Sequence, residues 1–261
     1  MQTLPPWPYP PLVAHRGAGT LAPENTLAAM RVGASFGYKM VEFDAKLSQD
    51  QVAILLHDAE LERTTDGLGK AADHPYAALA KLDAGLWFGS AFRGEPIPTL
   101  EAIARYTLSH DIASNIEIKP TPGLEAITGT AIARQAKHDW RAAPVPPLLS
   151  SFSLVALEAA QHEAPNLPRG WITTKLDENW RQTLTRLGCV SIHLHHLLLN
   201  PALLNDIHAA GFRVAAWTVN DPIRAAELLQ WGVDSVITDA LDLIDPESIL
   251  GTLPAHGERF V

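Results

Sequence analysis

The feature that most constrains the fold of this chain is a rhythm: from Leu12 onward, short apolar runs alternate with longer stretches of helical period. Leu12 to His15 reads as a first strand and Pro23 to Phe36 as a helix. Met40 to Leu47 reads as a second strand, with Val52 to His57 as its continuation across a turn at Ser48-Gln49-Asp50. Strands then fall at 113–119, 147–152, 170–174, 190–195, 212–219 and 233–238. The helical stretches between and after them are 99–109, 124–137, one ending at His162, 178–187, 201–210, 222–231 and 241–250. Eight strands, each followed by a helix, predict an α/β protein with a closed parallel (β/α)8 TIM barrel. The strands are apolar throughout rather than alternating, as strands covered on both faces should be. An open doubly wound sheet has the same alternation and differs only in strand order, which a sequence does not write out. A chain of 261 residues suits one barrel domain, 1–261.

One interval breaks the rhythm. Between His57 and Thr99 the chain is rich in polar and glycine positions, including Thr64-Thr65-Asp66-Gly67 and Leu82-Asp83-Ala84-Gly85. That is too long for a plain connection, so residues 59–98 read as a small inserted subdomain after the second strand, above the barrel mouth. Trp87, Phe88 and Phe92 within it serve either to wall off a substrate or to form the insertion's own small core.

Charge and cysteine content narrow the function classes. The net charge of −9, with no basic run, argues against a nucleic-acid binder, which needs clustered Lys and Arg. The proline-rich stretch from Met1 to Pro11 has neither the charge nor the apolar run of a signal peptide, and no segment has the roughly 20 apolar residues of a membrane span. The expectation is a soluble cytoplasmic protein without membrane insertion. The single cysteine, Cys189, excludes an intrachain disulfide, fits a reducing compartment and reads as core packing.

Polar residues at the C-terminal ends of barrel strands point into the mouth. The first strand ends in His15-Arg16-Gly17; the second carries Glu42 and Asp44, its continuation ends in His57-Asp58, and the next strand carries Glu117 and Lys119. Residues two apart on a strand face the same way, so Glu42 and Asp44 share a face. Three carboxylates converging inside apolar strands repel one another unless a cation sits among them, and an oxygen-only set suits Mg2+ or Ca2+. The plainer reading pairs Glu42 with Lys46 or Arg31, and Glu117 with Lys119.

His15 and His57, both titrating near neutral pH, are the natural acid–base pair, while Arg16 and Lys119 offer fixed positive charge to a phosphate. Arg16 also has an ion-pair partner within reach in Glu24. Pro23-Glu24-Asn25-Thr26 opens the first helix, with Asn25 or Thr26 able to cap it, and Glu24 and Asn25 are candidates to line the mouth and hold the ligands. Trp217 shapes the pocket or packs in the core. His193, His195 and His196 have the spacing of a second metal site but no matching partners, and His195 alone is left as a residue that faces the mouth.

Together these residues resemble the glycerophosphodiester phosphodiesterase family, its small cytosolic bacterial members in particular. The resemblance rests on His15-Arg16-Gly17, Pro23-Glu24-Asn25-Thr26, Val41-Glu42-Phe43-Asp44, Leu56-His57-Asp58, Leu61-Glu62-Arg63-Thr64-Thr65, Ile97-Pro98-Thr99-Leu100, Asn115-Ile116-Glu117-Ile118-Lys119, Trp217-Thr218-Val219-Asn220 and Ile237-Thr238-Asp239. It implies a barrel with an insertion after the second strand, one divalent cation at Glu42, Asp44 and Glu117, and a histidine pair at His15 and His57. The implied reaction is hydrolysis of a small-molecule glycerophosphodiester, such as glycerophosphocholine or glycerophosphoethanolamine, to sn-glycerol 3-phosphate and an alcohol. In that scheme the neighbouring glycerol hydroxyl attacks first through a cyclic phosphate and water second, so the other alcohol is free to vary. Rival readings are a phospholipase acting on intact lipids and a phosphate-binding barrel without catalysis.

Overall fold

The computed structural model describes residues 4–251; Met1–Thr3 and residues 252–261, part of the single-domain expectation, lie outside the described residues. Nine strands form one sheet: β1 (Leu12–Ala14), β2 (Met40–Leu47), β3 (Ala53–Leu55), β4 (Ala113–Ile118), β5 (Leu148–Ser151), β6 (Arg169–Thr173), β7 (Ser191–His195), β8 (Arg213–Trp217) and β9 (Ser235–Thr238). Every strand except β3 pairs in parallel with its neighbours, and β1 bonds both β9 and β2, so eight strands close a barrel. The helices are α1 (Leu27–Ser35), α2 (Tyr76–Leu79), α3 (Leu100–Ser109), α4 (Glu125–Asp139), α5 (Leu154–Glu163), α6 (Trp180–Arg186), α7 (Pro201–Ala209), α8 (Pro222–Trp231) and α9 (Pro246–Gly251). Among the described residues, no helix is long and apolar enough to cross a membrane.

β3 departs from the reading of a continued second strand. It folds back antiparallel on the upper half of β2, with Ala45 opposite Leu55 and Leu47 opposite Ala53, after a turn in which Gln51 takes φ 62°. A straight continuation would carry His57 roughly 40 Å beyond Asp44, at about 3.3 Å per residue. The hairpin instead brings the Leu56 N–H to the Asp44 carbonyl, 3.2 Å away, and returns His57 to the mouth.

Two further boundaries shift for local reasons. The helix expected from Pro23 starts at Leu27, because Asn25 adopts φ 59° and Thr26 is the cap, its hydroxyl accepting from the Ala29 N–H at 3.1 Å. The closing helix begins at Pro246 rather than Leu241.

Strand residues alternate between two environments. Val41, Phe43, Ile116, Leu149, Ile192 and Val214 pack outward against the helices in the main core, which also takes up Cys189. Val13, Met40, Leu148 and Ile237 form a separate buried cluster with Tyr9. The proline-rich segment supplies that last residue: the Tyr9 hydroxyl donates to the Pro146 carbonyl at 3.0 Å, and the Trp7 indole donates to Ser235 Oγ at 3.1 Å. A third cluster, including Ile54, Leu56, Leu61, Leu79 and Ile97, joins β3 to the segment that follows it.

Candidate active site

Each strand end contributes a side chain because the backbone there is locally specialised. After β1 the chain makes a tight turn in which Arg16 has φ 50° and Gly17 φ 94°. Helix α1 crosses so closely that a Cβ on Gly17 would lie 2.9 Å from Ala29 Cβ, and one on Gly33 2.1 Å from the Gly17 carbonyl oxygen. This contact fixes the turn and aims the Arg16 backbone N–H at Glu42 Oε2, 3.1 Å away.

The three acidic residues do converge. Glu42, Asp44 and Glu117 each offer an oxygen within 4.8 Å of the others, and all three are buried. Asn25 clamps Asp44 from both sides, its amide donating to Oδ2 at 2.8 Å and its carbonyl accepting from the Asp44 N–H at 2.9 Å. Lys119 donates to Glu117 at 2.7 Å and stands 3.6 Å from Asp44; Arg16 Nε lies 3.5 Å from Asp44. Burial and the adjacent Asp44 push Glu42 up to about 8 and Glu117 up to about 7. Burial also works against ionising Asp44, but Lys119 and Arg16 outweigh it and bring its carboxyl down to about 2.

Glu42 does not pair with Lys46 or Arg31. Lys46 Nζ instead donates to the backbone carbonyls of His57, at 3.0 Å, and of Asp58, anchoring the end of the hairpin. Glu42 Oε1 is buried and finds no hydrogen-bond partner among the described residues. A buried carboxylate oxygen left unpaired beside two more carboxylates is what a hard cation would satisfy, so these residues fit a divalent ion.

Each histidine has a carboxylate at Nδ1. His15 bonds Asp239 at 2.6 Å and His57 bonds Asp58 at 2.6 Å. Burial alone would lower His15; the Asp239 hydrogen bond and the charge of Glu42 reverse this and hold it above its ordinary value. His57 is held below, by burial first and then by Arg16 and Lys119. The network continues outward: Arg63 grips both Asp58 and Glu24, and Glu24 accepts from Arg16 at 2.8 Å. Glu24 therefore holds Arg16 and Arg63, and Asn25 holds Asp44; neither lines the cavity described next.

That cavity, of about 270 Å³, opens among His15, His57, Glu42, Glu117 and Lys119, and its walls include Phe152 and Trp217. The two aromatic rings meet edge to face at 5.5 Å. A second cavity of about 340 Å³ shares His57, Glu117, Lys119 and Phe152 with the first and extends past Ser151 and Ser153. Phe92 lines neither: it stacks edge-on to Phe88 at 5.4 Å and packs against the main core. His195 sits half-buried against Trp217, and the three histidines of β7 and its end assemble no metal group among the described residues.

Sequence reasoning named Asp58, Arg63 and Asp239 only as parts of motifs and assigned them no partners. Asp239 directly follows β9 and meets His15 only once the barrel closes. The sole local signal was the HisAsp dipeptide at 57–58.

The comparisons agree on one family. The model of the glycerophosphoryl diester phosphodiesterase family matches residues 15–243. A glycerophosphodiester phosphodiesterase of Caldanaerobacter subterraneus is 32% identical over 251 residues, covering 94% of this chain and 98% of that protein. An Oleispira antarctica phosphodiesterase, solved with the product sn-glycerol-3-phosphate, is 35% identical with a TM-score of 0.87, over 94% of this chain and 98% of the other. A glycerophosphodiester phosphodiesterase from Agrobacterium tumefaciens superposes with a TM-score of 0.77 at 26% identity, over 90% and 98% of the two chains. With the family model matching from His15 to Leu243, this chain belongs to the glycerophosphoryl diester phosphodiesterase family.

Proposed function

We propose that this chain hydrolyses small glycerophosphodiesters, glycerophosphocholine and glycerophosphoethanolamine among them, to sn-glycerol 3-phosphate and an alcohol, in the cytoplasm, as a single barrel domain with residues 59–98 as its insertion. One observation carries the reading. Two histidines, each with a carboxylate at Nδ1, flank a buried three-carboxylate cluster on one cavity. With Nδ1 held, Nε2 is the nitrogen left to exchange a proton, which is the arrangement general acid–base work requires.

Glu42, Asp44 and Glu117 would hold one divalent cation, Mg2+ or Ca2+, which supplies positive charge to the phosphate and helps orient the attacking oxygen. Arg16 and Lys119 bring further positive charge to the phosphate oxygens. One histidine takes the proton of the neighbouring glycerol hydroxyl as its oxygen bonds to phosphorus. The other gives a proton to the departing alcohol as its P–O bond breaks, and water then opens the cyclic phosphate. The two cavities, which share His57, Glu117, Lys119 and Phe152, would give the diester room on both sides of its phosphate. Trp217 and Phe152 cover the reacting groups, and Glu24 and Asn25 keep Arg16 and Asp44 in place.

The test is release of glycerol 3-phosphate from glycerophosphocholine by the purified protein, with EDTA and with Mg2+ or Ca2+ restored, alongside His15→Ala. The expected result is release that needs the metal and is lost in the variant. No release with either metal and either headgroup would overturn the reading.

A further inference from the structure

The 270 Å³ cavity contains a polar group that the proposed reaction leaves unused. His193 lies on β7 and lines the 270 Å³ cavity together with Asn115, below the level of His15 and Glu117. It is 1% exposed. Its ring occupies space that only a glycine on the neighbouring strand leaves open, since a Cβ on Gly170 would stand 2.3 Å from His193 Nε2. Nε2 bonds Ser191 Oγ at 3.1 Å, and the His193 carbonyl accepts from the Trp217 indole at 3.0 Å. Nδ1 is buried and finds no hydrogen-bond partner among the described residues. A buried nitrogen without a partner is unfavourable, and a ligand that bonds it would remove that cost.

Building on the proposed diester hydrolysis, we infer that His193 Nδ1 is the hydrogen-bond partner of the terminal glycerol hydroxyl, and so makes this site select glycerol over shorter diols. The chemistry of the group fits. Neutral imidazole presents one donor and one acceptor nitrogen, and which is which depends on the proton that Ser191 shares with Nε2. A hydroxyl both donates and accepts, so it satisfies Nδ1 in either tautomer, whereas a trimethylammonium or an alkyl chain satisfies neither. The surroundings point the same way: Ile172 and Ile237 line the cavity beside His193 and suit the carbon backbone of glycerol. Asn115, which lines the same cavity, has its carbonyl taken by Ser150 Oγ at 2.9 Å.

The experiment compares glycerophosphocholine with its 2-hydroxyethyl analogue, which keeps the attacking hydroxyl and lacks the terminal CH2OH. Wild-type enzyme should favour the glycerol substrate by roughly 10- to 100-fold in kcat/KM. His193→Leu should bring that ratio to within about threefold by losing activity on the glycerol substrate alone, while His193→Gln, which can still bond a hydroxyl, restores part of it. A variant that loses both substrates equally, or keeps the wild-type ratio, overturns the inference. So does a wild-type enzyme that uses both substrates alike, a result that holds whether or not His193→Leu folds. A wild type inert towards both diesters fails the reading of the site itself, and this inference with it.

Discussion

The two ends of the barrel interior are built on opposite principles. At the lower end Val13, Met40 and Leu148 fill the space with apolar side chains, and Tyr9 closes it from below. Two to four residues further along β1 and β2 the interior holds His15, Glu42 and Asp44, and β4 adds Glu117, with Lys119 just past its end. A cation can be buried at either end, but its partners differ. Near the start of β6, Arg169 is 4% exposed and is satisfied by backbone carbonyls, among them Leu167 at 2.7 Å and Gly188 at 3.1 Å. At the mouth Arg16 and Lys119 face carboxylates that crowd one another. The lower arrangement is complete as it stands; the upper one is complete only with a ligand. Stability and chemistry are thus drawn from different levels of the same strands.

That division can be broken by experiment. The largest expected effect is at the mouth: His57→Ala should reduce turnover of glycerophosphocholine about a thousandfold, while the thermal midpoint stays within a few degrees of wild type. A fall in stability matching the fall in activity would show that the mouth also holds the fold. Met40→Ala is the mirror case, expected to cost about 2–5 kcal/mol by denaturant unfolding and to leave turnover per folded molecule unchanged.

The boundary between the levels is sharpened by His193, which burial holds down to about 3. Its folded value lies below that of the unfolded chain, so the unfolded state binds the proton first as the pH falls. The stability tied to its neutral form is intact above about pH 6.5 and declines towards pH 3, by roughly 2 kcal/mol at pH 5. His193→Gln should flatten that part of the stability profile, and an unchanged slope would show that the ring is not buried neutral. The smallest effect is expected from Glu42→Gln. In EDTA it should raise stability by about 1 kcal/mol, because it removes a carboxyl that burial first, and then the adjacent Asp44, push up to about 8. Thermal shifts on adding Mg2+ or Ca2+ should be clear for wild type and much reduced for the variant. Equal shifts would show that Glu42 is not a ligand.

How much of this was legible in the sequence follows from the range of each interaction. The alternation of strand and helix and the shared face of Glu42 and Asp44 are local periodicities, so they could be read directly. The antiparallel return of β3 could not, because a turn at Ser48-Gln49-Asp50 reads alike whether the chain goes on or doubles back. Asp239 meets His15 across 224 positions, and Glu24 meets Arg63 across 39, pairings that exist only once the barrel has closed. The proline-rich segment carried no sequence pattern that marked it as the floor of the barrel. Phe92, an aromatic in a polar stretch, carried no sign of whether it faced a cavity or its own neighbours.

The doubling back of β3 also decides who owns the two histidines. His15 and its partner Asp239 each directly follow a strand of the closed cylinder, β1 and β9. His57 instead follows Ile54 and Leu56, which belong to the small cluster that includes Leu79 and Ile97; its partner Asp58, and Arg63 that holds Asp58, come from the same stretch of chain. Under the proposed chemistry, the proton relay is shared between two frames, joined at the mouth by Lys46 gripping the His57 carbonyl and by the bridge through Glu24. Grafting another loop in place of residues 59–98 would therefore remove Arg63, which holds Asp58 behind His57, and not a decoration above the relay. Substitutions as remote as Leu79 would be felt as slower turnover by an intact barrel.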